Sequence, residues 1–517
     1  MKKRSLVIVV ILLLLSQYTY SALSVASIFC DHMVLQQGSQ IPVWGWAQPG
    51  DIITVEINKE VRTAIAKDDG SWKIFLHKLS VGGPFTMVVS ASEVITISDI
   101  YVGEVWLCSG QSNMEMTVAR ENRYWCGVFN EEKEVKNADF PLIRFYKIPK
   151  TESEISVNEI DAEWEVCSPE NIGHHSAAAY FFAKELFEYY KIPVGIINSS
   201  YGASTIEAWT KKEYLEADSL MTFLLDQYKQ KCESYDQDSS RKIKYEKDLL
   251  EWKIKAKAAM SQKKDEPRKP KNPDPRHDQH SPSVLYNAMI APLIPYAMRG
   301  VLWYQGESNT STADIYDVQM RNMIYNWRND WGQGDFPFIY VQLANYKDPV
   351  TVPVKDEPWV TVQEKQLKAL SVRNTAMVVA IDNADPDAPG NIHPKNKQAI
   401  GERLAIAAMG KVYKQDITFM GPVFSHMIIE GNKAHIYFTH IGNGLVSKQK
   451  KITGFAIAGE DKQFVLGDAE IVDDHVVVSS VDIEKPLYVR YGWSKNPPVN
   501  LYNKSGLPAS PFRTDDL

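Results

Sequence analysis

The chain has 517 residues, of which 44% are hydrophobic and 23% charged. That balance excludes a largely disordered chain, a collagen-like repeat and a coiled coil, and the length predicts roughly two to four domains. With 57 Lys plus Arg against 64 Asp plus Glu, the net charge is −7, so no global attraction to nucleic acid or an anionic membrane is expected.

Met1-Lys2-Lys3-Arg4 is cationic, 6–15 is an unbroken apolar run, and small residues follow at Ser21 and Ala22. This is the three-part pattern of a secretory signal peptide over residues 1–22. The apolar run is too short to span a bilayer, which needs about 20 residues. Export to the periplasm or the exterior is expected, with no stable membrane span after cleavage; an uncleaved anchor is the alternative. Five cysteines leave at least one unpaired, and their spacing matches no zinc pattern.

Residues 23–98 read as an N-terminal β-sandwich. Short β-forming runs at Ile41–Trp46, Ile52–Ile57 and 85–89 are separated by turns such as Gln48-Pro-Gly-Asp51 and Asp68-Asp-Gly70. From residue 99 the rhythm becomes strand, loop, helix. Strands are predicted at 100–107, 192–197, 301–304, Phe338–Val341 and 377–381, and helices at 176–190, 314–331 and 397–409. The fold class over 99–417 is therefore α/β, with a mostly parallel sheet covered on both faces. A charged helical insertion with a Pro-rich exit interrupts it at about 229–282. Residues 418–517 return to β character.

Polar loops follow four of the predicted strands, three of them with a glycine. Cys108-Ser-Gly-Gln-Ser-Asn-Met114 is a sharp turn that presents Ser112. Asn198-Ser-Ser-Tyr-Gly-Ala-Ser-Thr205 offers the Gly202 N–H to a ligand. Trp303-Tyr-Gln-Gly-Glu-Ser-Asn309 crowds Gln305, Glu307 and Asn309 into one loop. Asn391-Ile-His-Pro-Lys-Asn-Lys397 places His393 before a helix. Ligands bind at the carboxyl edge of open α/β sheets. A nucleophile, a base and backbone donors at that edge are the components of acyl transfer.

These blocks, with Phe29-x-Asp-x-Met-Val-Leu-Gln36 and Arg490-Tyr-Gly-Trp-Ser-Lys-Asn-Pro-Pro498, resemble the sialate O-acetylesterase family of SGNH (GDSL-like) hydrolases. The resemblance spans nearly all of the chain after the leader. It implies an SGNH-type α/β/α sandwich flanked by β-rich regions, and removal of acetyl groups from sugar hydroxyls through an acyl-enzyme. By the same resemblance Ser112 is the nucleophile and His393 the general base. The Ser112 and Gly202 N–H groups bind the oxyanion, with Gln305 as the third donor and Asn309 as its alternative, and Glu307 positions the loop. No metal or organic cofactor is implied, and the partner is an acetylated sugar or glycan.

Relatives carry an Asp two or three residues before the His, where this chain has Asn391 and Gly390. A Ser–His dyad is the expectation, with Asp385, Asp387 and Asn391 as open candidates for a third member. Trp209 and Tyr304 are expected to flank the sugar. The alternative substrate is acetylated polysaccharide such as xylan. The alternative of another class is a carbohydrate-binding protein whose hydrolase site has decayed.

Overall fold

The computed structural model describes residues 22–262 and 267–515; the expected leader, apart from Ala22, lies outside them. One 17-residue strand, Val94–Gly110, organises the molecule. Its first part pairs antiparallel with Gly82–Ser90 in the N-terminal β region. Its second part, buried without interruption from Val102 to Gly110, is the middle of a parallel array. Continuous apolar burial suits a parallel strand covered on both faces, whereas the alternation at the start of the strand suits one solvated face. The expected domain break at 98–99 falls inside this strand. The sheet of Ser24–Val25, Ile41–Trp46 and Ser71–Leu76 shares one hydrophobic core with the rest, through residues such as Val43, Trp72 and Ile74.

The array runs Trp164–Cys167, Phe140–Lys147, Val194–Ser200, Val94–Gly110, Gly300–Tyr304, Phe338–Val341, Thr375–Val378. Trp164–Cys167 is antiparallel to its neighbour and the other pairings in this order are parallel. Counted with its N-terminal extension, the sheet is mixed and 11-stranded. Trp106 and Trp303 project from opposite faces, since Trp303 pairs with Ser109, three residues from Trp106. Trp106 meets Phe182 of the helix Ala177–Tyr190, and Trp303 meets Trp327 of the helix Tyr316–Trp331. The helix Lys397–Lys411 packs beside the first of these at close range, because Gly401 leaves no side chain between it and Phe181.

Register decides where the loops emerge. Ser200 and Tyr304 both lie opposite Gly110, so the chain leaves three adjacent parallel strands at one level. Gly110 has φ +139°, and a Cβ there would stand 2.2 Å from the Tyr304 carbonyl oxygen. Gly110→Ala is accordingly expected to destabilise the fold by about 3 kcal/mol or more. Thermal or urea unfolding reads this directly, and an unchanged midpoint would contradict it.

The charged segment forms the helices Thr222–Gln237 and Ser239–Ser261, the second without a buried residue. Among the described residues no helix is long and apolar enough to cross a membrane. The C-terminal region folds into small antiparallel sheets around its own core of Ile436, Phe455, Val476 and Tyr491. It grips the α/β part through Arg513–Glu364 at 3.0 Å, Tyr502–Asp382 at 3.0 Å and the Asn496 amide on the Lys347 and Pro389 carbonyls. The Arg490–Pro498 motif thus braces the segment that leads to His393.

Candidate functional site

Ser112 opens a single helical turn, Ser112–Glu115, directly beyond the central strand. The turn is held from both sides. Gln111 donates its N–H to Tyr304 O at 3.0 Å and accepts from the Gly306 and Ser308 amides, while Ser176 Oγ donates to Met114 O at 2.6 Å. Across the sheet edge, the loop after Thr375–Val378 brings in His393, and its Nε2 lies 2.8 Å from Ser112 Oγ. The two residues expected to react therefore meet, although 281 positions separate them.

The imidazole has no acid beside it. Among the described residues no carboxylate pairs with the ring, which instead packs against Trp125 at 4.8 Å between centroids. Burial, and secondarily the Lys397 charge, push its pKa down to about 4. Asn391 does not touch the ring: it accepts the His393 backbone N–H at 3.0 Å and donates to the His393 carbonyl at 2.8 Å. Asp385, buried, accepts from Asn391 Nδ2 at 3.0 Å and from Lys395 N at 2.7 Å. It fixes the loop that carries His393. Asp387 is exposed. Asp385→Ala is expected to lower kcat/KM by about 100-fold through misplacement of His393. The acid limb of the pH–rate profile should stay where it is, since the carboxylate does not pair with the ring; a shifted limb would make Asp385 a third catalytic member after all.

Beneath the pair lies a buried polar network that sequence reasoning did not single out. Asn113 donates to Glu307 Oε1 at 2.6 Å and to Ile392 O at 2.9 Å, and accepts from Lys397 Nζ at 2.8 Å. Lys397 also donates to Pro394 O at 2.6 Å. Burial drives its ammonium pKa down to about 7, against the opposing pull of Asp385 and Glu307. Burial likewise raises the Glu307 carboxyl above its usual range. Glu307 links the Gln305 loop to the Ser112 turn through Asn113. The signal available in the sequence was a Lys at the first turn of a helix, where a cation opposes the helix dipole and needs a reason to be there.

The expected oxyanion donors are placed differently from one another. Gly202 comes up beside Ser112, but its N–H donates to Glu115 Oε2 at 2.6 Å. Glu115 is held in turn by Arg123 at 3.1 Å and Lys150 at 2.9 Å. Gln305 is fully buried and its amide nitrogen donates to Ser204 O and Asn309 Oδ1, while its oxygen accepts from Tyr316. Asn309 is engaged with Ile206 N and Glu207. Both side chains tie the Gly202 loop to the Gln305 loop rather than reaching a ligand. Trp209 and Tyr304, expected at the sugar, are core residues without exposed surface. The aromatic groups near the pair are Trp125, under the Arg123 guanidinium, and Tyr201, under Lys150.

Residues 102–242 and 277–410, which hold this whole arrangement, match the family model described as carbohydrate esterase, sialic acid-specific acetylesterase. The chain belongs to that family of carbohydrate esterases. Members with sialate O-acetylesterase as their name include the mouse protein, 29% identical with 97% of each chain covered, and the human protein, 27% identical with 94% of this chain and 91% of that one covered. A crystal structure of a carbohydrate acetylesterase from Xanthomonas citri is 33% identical, covers 96% of this chain and all of that one, and superimposes with a TM-score of 0.79. Like them, this carbohydrate esterase is an ester hydrolase.

Proposed function

We propose that this esterase removes O-acetyl groups from sialic acids by a serine acyl-enzyme route on an SGNH-type scaffold, and that it works outside the cytoplasm after loss of its leader. The observation that carries the mechanism is the 2.8 Å contact between Ser112 Oγ and His393 Nε2. His393 Nε2 takes the hydroxyl proton while Oγ attacks the acetyl carbonyl. The tetrahedral oxyanion faces the backbone N–H of Ser112, at the start of its turn. The Gly202 N–H joins when Glu115 releases it. Protonation of the leaving sugar oxygen by the imidazolium yields acetyl-Ser112, and water, deprotonated by the same imidazole, releases acetate. Export rests on the cationic and apolar pattern of residues 1–22.

The sialic acid assignment rests on the names of the mouse and human relatives. The Xanthomonas citri protein, whose name specifies only a carbohydrate acetylesterase, favours a second reading with a different acetylated glycan as substrate. Acetate release measured side by side on O-acetylated sialic acid and on acetylated xylan separates the two. A kcat/KM on xylan above that on sialic acid would replace the first reading by the second.

A further inference from the structure

Away from the Ser112–His393 pair, three side chains with metal-ligand chemistry converge. Glu165 lies on the edge strand Trp164–Cys167; His174 and His175 close the short turn that precedes the helix Ala177–Tyr190. Their ligand atoms all stand within 4.8 Å of one another. Glu165 Oε2 is 3.0 Å from His174 Nε2 and 3.3 Å from His175 Nε2. Such separations are close to the edges of a tetrahedron around an ion with bonds of about 2.0–2.1 Å.

Local structure holds the three groups in place. Phe145 sits directly opposite Glu165 in the antiparallel pair, so the two side chains share a face. The Phe145 ring stacks on His175 at 4.4 Å and 18°, which fixes that imidazole. His175 has a side-chain exposure of 1%, whereas His174 and Glu165 are about one-third exposed, at 35% and 38%. The cluster is thus anchored on one side and open to solvent on the other. The nearby cation, Lys147, is turned to the His174 carbonyl, to which it donates at 2.6 Å.

We propose that Glu165, His174 and His175 form a binding site for one divalent transition-metal ion of the Zn2+ class, with water completing the coordination. Two imidazoles and a carboxylate suit such an ion rather than Mg2+ or Ca2+, which take oxygen ligands. On binding, each Nε2 turns its lone pair to the ion instead of an N–H to Glu165, so the neutral ring carries its single proton on Nδ1 and any second proton is released to solvent. The site has a structural consequence. Thr117 bridges Ser176, and Val118 N donates to His175 O at 3.1 Å, so the ion would clamp the segment behind the nucleophile turn to the edge of the sheet.

The test uses the full chain, stripped with a chelator and titrated with Zn2+ alone by calorimetry. One Zn2+ per chain is expected, together with a rise in Tm. His174→Ala and Glu165→Gln should each weaken binding by more than about 10-fold, since loss of even an outer-sphere partner costs that much. Both residues are partly exposed, so both variants should keep the wild-type Tm without metal and the wild-type rate of acetate release. His175 is too buried to serve as the primary variant. Absence of stoichiometric binding, or an affinity unchanged by either substitution, overturns the proposal.

Discussion

Ser112→Ala is expected to reduce kcat for acetate release by about 10,000-fold or more while leaving the fold intact. The Ser112 side chain makes one hydrogen bond, to His393 Nε2, and its removal leaves the backbone bonds of the turn in place. The unfolding midpoint should therefore stay near that of the native chain, so that loss of activity reports on chemistry. His393→Ala should cost a similar factor, and the double variant little more than either single one, because the two groups act as a unit. The measurement is acetate release from an activated aryl acetate and from an acetylated sugar, with a thermal melt on each variant. Turnover of the Ser112→Ala protein within 10-fold of the native rate would remove Ser112 from the mechanism and send the search to another nucleophile.

The features that could be read in the sequence have a common physical basis. A buried parallel strand is an apolar run, and four polar loops at the ends of such strands together point to a ligand edge more than any one of them alone. That is why the Ser112, Gly202, Gln305 and His393 loops stood out, and register then brings three of them to one level. What could not be read is which way a side chain turns. Gln305 looks like a donor to a ligand, but Tyr316, the first residue of the helix Tyr316–Trp331, donates to its amide oxygen, and Asn309 accepts from its amide nitrogen. Trp209 and Tyr304 look like sugar platforms, yet Trp303 packs edge-on against the first, whose carbonyl accepts from the Trp327 indole, and the second lies under Lys397. The change of periodicity near residue 98 falls within one strand, Val94–Gly110, which passes from a half-solvated sheet to a buried one. Asn113, Glu115 and Lys397 lay within or beside recognised motifs, but their roles depend on distant partners, 194 and 284 positions apart for Asn113 with Glu307 and Lys397, and 87 for Glu115 with Gly202.

Lys397→Met is expected to move the acid limb of kcat/KM upward by about one pH unit. The imidazole must be neutral to accept the Ser112 proton, so activity falls as pH drops through the His393 pKa of about 4. Two causes hold that value below the ordinary range of an imidazole: burial first, and the Lys397 charge second. Methionine keeps the bulk of the lysine stem and removes only the charge and its hydrogen bonds. The burial effect persists, the charge effect disappears, and the ring becomes easier to protonate. The sign is therefore a loss of activity at acid pH relative to the plateau. The charge operates in the right window, because Lys397 itself titrates near 7 and is protonated throughout the range in which the ring gains its proton. In a site with an Asp behind the imidazole, the local field would favour the imidazolium; here the nearest buried charge opposes it. A chain that lacks the usual acid thus keeps its base neutral well into the acid range. Asn113 Oδ1 loses its donor in this variant, so the plateau itself will also change, and the shape of the profile is the decisive quantity. A loosened loop scales the rate equally at every pH, whereas loss of the charge displaces the limb. Kinetics from pH 3.5 to about 8, with salt held constant, distinguish the two, and a limb that stays in place would mean that Lys397 acts only as a strut for Asn113 and Pro394.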